Sequence, residues 1–195
     1  QPAWRRACFS ISMRVRHAIG LVDRLPTPDR ALLEDVILAH YARRDDVRRV
    51  LFVGCDWYTR RYERLFTHAD YWTLERDPRR ARYGARRHVV DSLEHMSQHF
   101  PPRSLDLIVC NGVFGWGLNA RSACEYAFAQ CHDALRHGGE FVLGWNDVPA
   151  YRPCDPHQLT AVARFEPIDF APLHNRHRIV VPGTNRHTYD FFKRR

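Results

Sequence analysis

The sequence predicts an α/β protein: a three-layer, doubly wound, mostly parallel sheet of seven strands with helices on both faces, preceded by a helical cover. Three observations predict it. Short apolar runs suited to strands covered on both faces, of which Val50-Leu51-Phe52-Val53 is the clearest, alternate with helical patterns through residues 46–195. The first run ends on Gly54, where such sheets place a ligand at the carboxyl ends of their strands. A length of 195 residues with 45% apolar content supports one substantial core. Residues 1–45 are therefore expected to form the cover and residues 46–195 the sheet domain of one globular unit.

Taken in order, Arg14 to Leu25 has Val15, Ile19 and Val22 at helical spacing, stopped by Pro26. Thr27-Pro28-Asp29 opens a second helix, with an N-cap hydroxyl, proline at the first helical position and an early acid. Its stripe is Leu32, Leu33, Val36, Ile37, His40 and Tyr41, and both helices are expected to cover the sheet edge or roof the cleft. After strand one, residues 59–68 read as a helix with Tyr62, Leu65 and Phe66 on one face. Tyr71 to Glu75 is the second strand, Asp77-Pro78 starts an Arg-rich helix through Arg87, and His88-Val89-Val90 is the third strand. Leu105 to Cys110 is the fourth, closed by Asn111-Gly112. Residues 121–137 form an amphipathic helix with Ala123, Tyr126, Ala127, Cys131, Ala134 and Leu135 inward, and Gly138-Gly139 stops it. Glu140 to Trp145 is the fifth strand. The tail offers strands at Phe165–Phe170 and Thr188–Phe192, joined across Pro182-Gly183-Thr184-Asn185.

Composition narrows the function classes. No apolar run of about 20 residues exists, so no membrane-spanning helix is expected. The start, Gln1-Pro2-Ala3-Trp4, reads as trimmed and lacks the apolar core of a signal peptide. Six cysteines without a Cys-x-x-Cys pair suit reduced core thiols in a cytoplasmic protein. The net charge of +8 comes from 29 Arg and one Lys scattered along the chain, so an anionic partner is favoured without being named. Arg79, Arg80, Arg82, Arg86 and Arg87 fall largely on one exposed side, more simply a solvated face than an RNA stripe. His95 and His99 are four apart with no third ligand evident, and no metal is expected.

The chemistry gathers at strand tips. Glu75, an acid ending the second strand about 20 residues after Gly54, is placed to accept both ribose hydroxyls of an adenosine. Asp91 and Ser92, after the third strand, pass the adenine, and Asn111 and Gly112 reach the mouth of the cleft. No GxGxxG run is present, which disfavours NAD.

Five pieces in order then resemble the class I S-adenosylmethionine-dependent methyltransferases, a Rossmann-like superfamily. They are Val50-Leu51-Phe52-Val53-Gly54-Cys55, Thr73-Leu74-Glu75-Arg76-Asp77-Pro78, Val90-Asp91-Ser92-Leu93, Leu105-Asp106-Leu107-Ile108-Val109-Cys110-Asn111 and Ala134-Leu135-Arg136-His137-Gly138-Gly139-Glu140-Phe141-Val142-Leu143. The resemblance spans about residues 47–147. It implies S-adenosylmethionine as cofactor and S-adenosylhomocysteine as product, held by Gly54, Cys55, Asp56, Tyr58, Glu75, Arg76, Asp91, Ser92, Asn111 and Gly112. Trp116 and Asn146 are the expected substrate contacts, with Asn111 and Asp147 as the catalytic pair and Asp147 the base if one is used. The chain departs from the family at Phe52, where an acid is usual, and at Asp56 and Tyr58, where glycines are. No Asp/Asn-Pro-Pro-Tyr/Phe tetrapeptide marks nucleobase amines, so a small-molecule acceptor methylated on O or N ranks above nucleic acid. The alternatives are an RNA methyltransferase using the Arg-rich surface and a catalytically inactive partner subunit. A monomer or homodimer is expected.

Overall fold

A computed structural model describes residues 11–16 and 23–195. Its centre is one mixed sheet in the order β3-β2-β1-β4-β5-β8-β6, with β7 also on β8. The strands are β1 (Arg49–Val53), β2 (Asp70–Leu74), β3 (Arg87–Val89), β4 (Leu105–Asn111), β5 (Leu135–Asn146), β6 (Phe165–Pro167), β7 (Arg178–Val180) and β8 (His187–Arg194). The first five run parallel; β8 alone lies antiparallel against β5, with Gly144 opposite Tyr189. The expected seven strands are thus eight, because β6 and β7 share the outer edge of β8, one beside residues 192–194 and the other beside 188–190. The turn at residues 182–185 joins β7 to β8, so the tail hairpin forms from Arg178–Val180 and not from Phe165–Phe170.

Both faces are covered, as the unbroken apolar run of β1 requires. One face packs Leu51, Val53, Ile108, Phe141 and Leu143 on α2 (Arg121–Ala134), and the other packs Val50, Phe52, Tyr189 and Phe191 on α1. Helix α1 spans residues 28–41, beginning as Pro28–Ala31, widening to π-type hydrogen bonding over Leu32–Leu38 and closing as Ala39–Tyr41. Leu33, Ile37, Leu38 and Tyr41 are its fully buried residues. Two tyrosines pin its ends: Tyr41 donates to Glu140 Oε2 at 2.7 Å, and Tyr189 donates to the Asp29 carbonyl at 2.9 Å. The second pin holds the first turn of α1 over the carboxyl ends of the strands.

Several local expectations are corrected. Residues 59–68 form two 3-10 turns, Trp57–Thr59 and Tyr62–Leu65, where aromatic and β-branched residues give little helix propensity. Tyr62 and Phe66 are buried but Leu65 is exposed. The Arg-rich segment is a 3-10 turn, Pro78–Tyr83, and Arg87 already belongs to β3. Helix α2 stops at Ala134, its Tyr126 faces solvent, and Gly138-Gly139 lies inside β5, in a bulge between the pairs Leu105–Leu135 and Leu107–Glu140. Residues 11–16 are helical, three residues earlier than expected; Ile19 and Val22 lie outside the described residues.

Candidate functional site

A cleft of about 660 Å³ opens at the carboxyl ends of β1 to β5, of a size that takes a nucleoside-bearing ligand. Of the predicted residues, Gly54, Asp56, Tyr58, Glu75, Arg76, Asp91, Ser92, Gly112, Trp116 and Asn146 line it.

On the side of β1 to β3, backbone amides and carboxylates set the geometry. Gly54 takes φ +91°, and a Cβ there would meet Val113 Cγ2 at 2.9 Å and the Asn111 carbonyl at 3.0 Å. This glycine lets β1 turn tightly against the end of β4. Glu75 is buried, with Oε2 accepting from the Cys55 amide at 3.0 Å and Oε1 from the Asp77 amide at 2.9 Å. No cation pairs with it among the described residues, so each oxygen keeps acceptor capacity. The Cys55 side chain is buried, and burial, with Glu75 adding to it, pushes its thiol up to about 12. Cys55 therefore contributes its amide while its sulfur stays protonated.

Asp56 sits at the start of the first 3-10 turn, closed into a reciprocal cap with Thr59, and accepts from the Trp57 amide at 2.8 Å. Its other oxygen faces Arg14 at 3.2 Å and Arg80 at 3.8 Å. Arg76 donates to the Gly117 carbonyl at 3.2 Å, bridging this side to the turn after β4. Asp91 is held by the Ser92 amide at 2.7 Å, His95 Nδ1 at 2.9 Å and His99 Nε2 at 2.8 Å. The imidazole bonds of His99 and His95, with the Ser92 amide, hold its carboxyl down to about 2. Ser92 precedes the turn Leu93–Gln98.

On the side of β4, β5 and β8 the polar groups form one buried chain. With the Asn111 amide oriented to satisfy both neighbours, its oxygen accepts from Arg30 Nη1 and Nη2 at 3.0 and 3.2 Å, and its nitrogen donates to His187 Nε2 at 3.0 Å. His187 Nδ1 then carries the proton and donates to Asn146 Oδ1 at 2.7 Å. Burial pushes His187 down to about 4; the Asp29 carboxylate opposes the shift and the Arg30 charge adds to it. The imidazole is therefore neutral near pH 7. Gly144 leaves room for this chain, since a Cβ would land on the Asn111 side-chain amide and 2.9 Å from Tyr189 Cε1.

Trp116, half exposed, stacks on Tyr151 with ring centroids 4.5 Å apart at the mouth. Asp147 lies off the cleft wall, ion-paired with Arg152 at 2.6 Å and Arg186 at 3.6 Å. Sequence reasoning missed Arg30, His187, Tyr151, Asp29 and Arg14, all of which line the cleft. The helix start at Thr27-Pro28 could have singled out Arg30, a cation in a first turn where acids are preferred. Nothing local marks His187.

The strand order, the lone antiparallel β8 and a cleft at the tips of the parallel strands are together the fold of the class I S-adenosylmethionine-dependent methyltransferases. A TehB-like S-adenosylmethionine-dependent methyltransferase from Corynebacterium glutamicum superposes with TM-score 0.64 at 17% identity, covering 100% of both chains. The N-methyltransferase NodS from Bradyrhizobium japonicum, in complex with S-adenosylhomocysteine, gives 0.60 at 14% identity over 87% of this chain and 93% of its own. TehB from Haemophilus influenzae gives 0.57 at 10% identity, covering 82% of this chain and 62% of its own. No family model matches the sequence, and no curated protein matches it.

Proposed function

We propose that the protein is an S-adenosylmethionine-dependent methyltransferase acting on a small-molecule acceptor through O or N. The observation that carries this is Glu75: a buried carboxylate at the tip of β2, facing the cleft, anchored by two backbone amides and with no cation paired to it among the described residues. Its free lone pairs suit the two ribose hydroxyls, and Asp91 with Ser92 suits the adenine end. Asp56 beside Arg14 offers an acid to the ammonium and a guanidinium to the carboxylate of the methionine part. These residues fit the donor, which when bound supplies a methyl group on a sulfonium. The chain's part is then to align the acceptor between Asn146 and Trp116, with Asn111 buried behind them, and to exclude water, and alignment alone can supply about 7–11 kcal/mol. Asp147, off the wall and doubly paired, has no role in this scheme.

A small acceptor is favoured over RNA because the Arg-rich segment is largely engaged: Arg79 with Asp77, Arg80 with Asp56, Arg87 with Asp70, and Arg82 over the Tyr83 ring. Its buried free thiols support a cytoplasmic setting. Among the described residues no helix is long and apolar enough to cross a membrane. Calorimetry with S-adenosylhomocysteine tests the reading. Saturable binding below roughly 1 mM is expected, and no heat at that concentration would sink it.

A further inference from the structure

We propose that the acceptor enters this cleft as an anion, a carboxylate or kindred oxyanion, and that Arg30 is the residue that receives it. The inference deepens the methyltransferase reading and rests on it. Arg30 is 7% exposed and stands on the cleft wall. Its guanidinium reaches two neutral oxygens, those of Asn111 and of the Tyr62 hydroxyl, its Cζ lies 4.5 Å from the Tyr58 ring centroid, and its Nε has no partner. Among the described residues no carboxylate pairs with it, and residues 1–22 contain no acid that could. Asp29, next along the chain, lines the same cleft but makes no ion pair with it.

Two physical terms oppose a cation at this position. Burial of an unpaired charge is costly, and the first turn of α1 presents the positive end of the helix dipole. An oxyanion docking on the guanidinium fork would offset both through paired, charge-assisted hydrogen bonds.

The location assigns that oxyanion to the acceptor and not to the donor. Arg30, Asn111, His187 and Asn146 form one chain at the tips of β4, β5 and β8, whereas Glu75 and Asp91 lie at the tips of β2 and β3. The donor's own zwitterion is matched by Asp56 with Arg14. Along the chain from Asn111 to Asn146, His187 is neutral and fully engaged, so Arg30 supplies the positive charge. The Trp116–Tyr151 stack at the mouth suits a planar body behind the anionic group.

Benzoate and its neutral isostere benzamide are the probes, titrated into protein saturated with S-adenosylhomocysteine and read by tryptophan fluorescence. Wild-type protein should bind benzoate at least about tenfold more tightly than benzamide, and Arg30→Gln should abolish the preference while leaving the S-adenosylhomocysteine affinity within about twofold. Equal binding of the two probes by wild-type protein overturns the proposal. So does a loss of S-adenosylhomocysteine affinity in Arg30→Gln, which would give the guanidinium to the donor. If Arg30→Gln does not fold, Arg30→Lys, which keeps the charge and loses the fork, should weaken benzoate at least about threefold; unchanged benzoate affinity there overturns the assignment. Wild-type protein that binds no S-adenosylhomocysteine removes the methyltransferase reading itself, an outcome distinct from all of these.

Discussion

The two halves of the cleft are built by different means. The half at β1 to β3 is made of shorter-range parts: a glycine turn, an acid ending β2 and an acid after β3, each anchored by backbone amides or imidazoles no more than 20 residues away. The half at β4, β5 and β8 is made of one long-range chain, in which Arg30, Asn111, His187 and Asn146 come from four distant segments. Local parts can be tuned singly. A buried chain fails as a unit, because removing one member leaves its neighbours unsatisfied.

The strongest break of that contrast is at Glu75. Glu75→Ala should weaken S-adenosylhomocysteine by about 100-fold, the worth of two hydrogen bonds to a charged acceptor at about 1.5 kcal/mol each. The same substitution strips a partner from the Cys55 and Asp77 amides, so a modest loss of stability accompanies it. Benzoate binding to the variant, measured without the nucleoside, should be unaltered. Calorimetry that returned an unchanged S-adenosylhomocysteine affinity would end the ribose assignment.

In the other half, His187 should make folding depend on pH. Its folded value of about 4 lies below the ordinary 6.5, so the unfolded chain takes up the proton first as pH falls. Its contribution is complete above about pH 6.5, shrinks between 6.5 and about 4, and is absent below; the full swing is at most about 3 kcal/mol. Urea denaturation at pH 7 and pH 5 should give a smaller difference for His187→Gln than for wild type. His40, His88, His132 and His157 are also held low by burial, which is why the comparison of the two proteins, and not the wild-type slope, carries the result. Gly144→Ala acts on the same chain without removing a hydrogen-bonding group. Its methyl would collide with the Asn111 side-chain amide and crowd Tyr189, costing about 1–3 kcal/mol. A variant as stable as wild type would mean that Asn111 can leave its place freely.

The contrast also explains what the sequence made legible. Glu75, Asp91 and Gly54 were found because each is fixed by position at a strand tip, and strand tips follow from apolar runs and turn residues. Asn146 reaches the cleft wall on the same ground and Asn111 lies buried beside it, but their partners were not legible: 76 residues separate Asn111 from His187, and 41 separate His187 from Asn146. No spacing rule connects residues that meet only when β8 inserts antiparallel beside β5. The helix expected at residues 59–68 failed for a different reason, since apolar spacing of three and four also fits consecutive 3-10 turns when Tyr62 and Phe66 alone need burial. Phe52 stands where the sequence resemblance leads one to expect an acid, and it is fully buried against Tyr62 in the core beneath α1. That departure reflects packing below the cleft more than a lesion within it.

Trp116 gives the smallest effect and the sharpest boundary between the halves. It is exposed, and its one ring contact is with Tyr151, so Trp116→Ala should change stability by less than about 0.5 kcal/mol. Gly115, in the same turn at φ +79°, backs directly onto the Tyr151 carbonyl, which keeps the turn in place when the indole is removed. Arg76 still grips the Gly117 carbonyl from the β2 side. The backbone path between the halves therefore survives, and S-adenosylhomocysteine affinity should stay within about twofold. Loss of the aromatic plate should weaken benzoate by about two- to tenfold, the range of a single aromatic contact. A matching loss of S-adenosylhomocysteine affinity would mean that the turn after β4 serves both ligands, and the division of the cleft would have to be redrawn through Arg76.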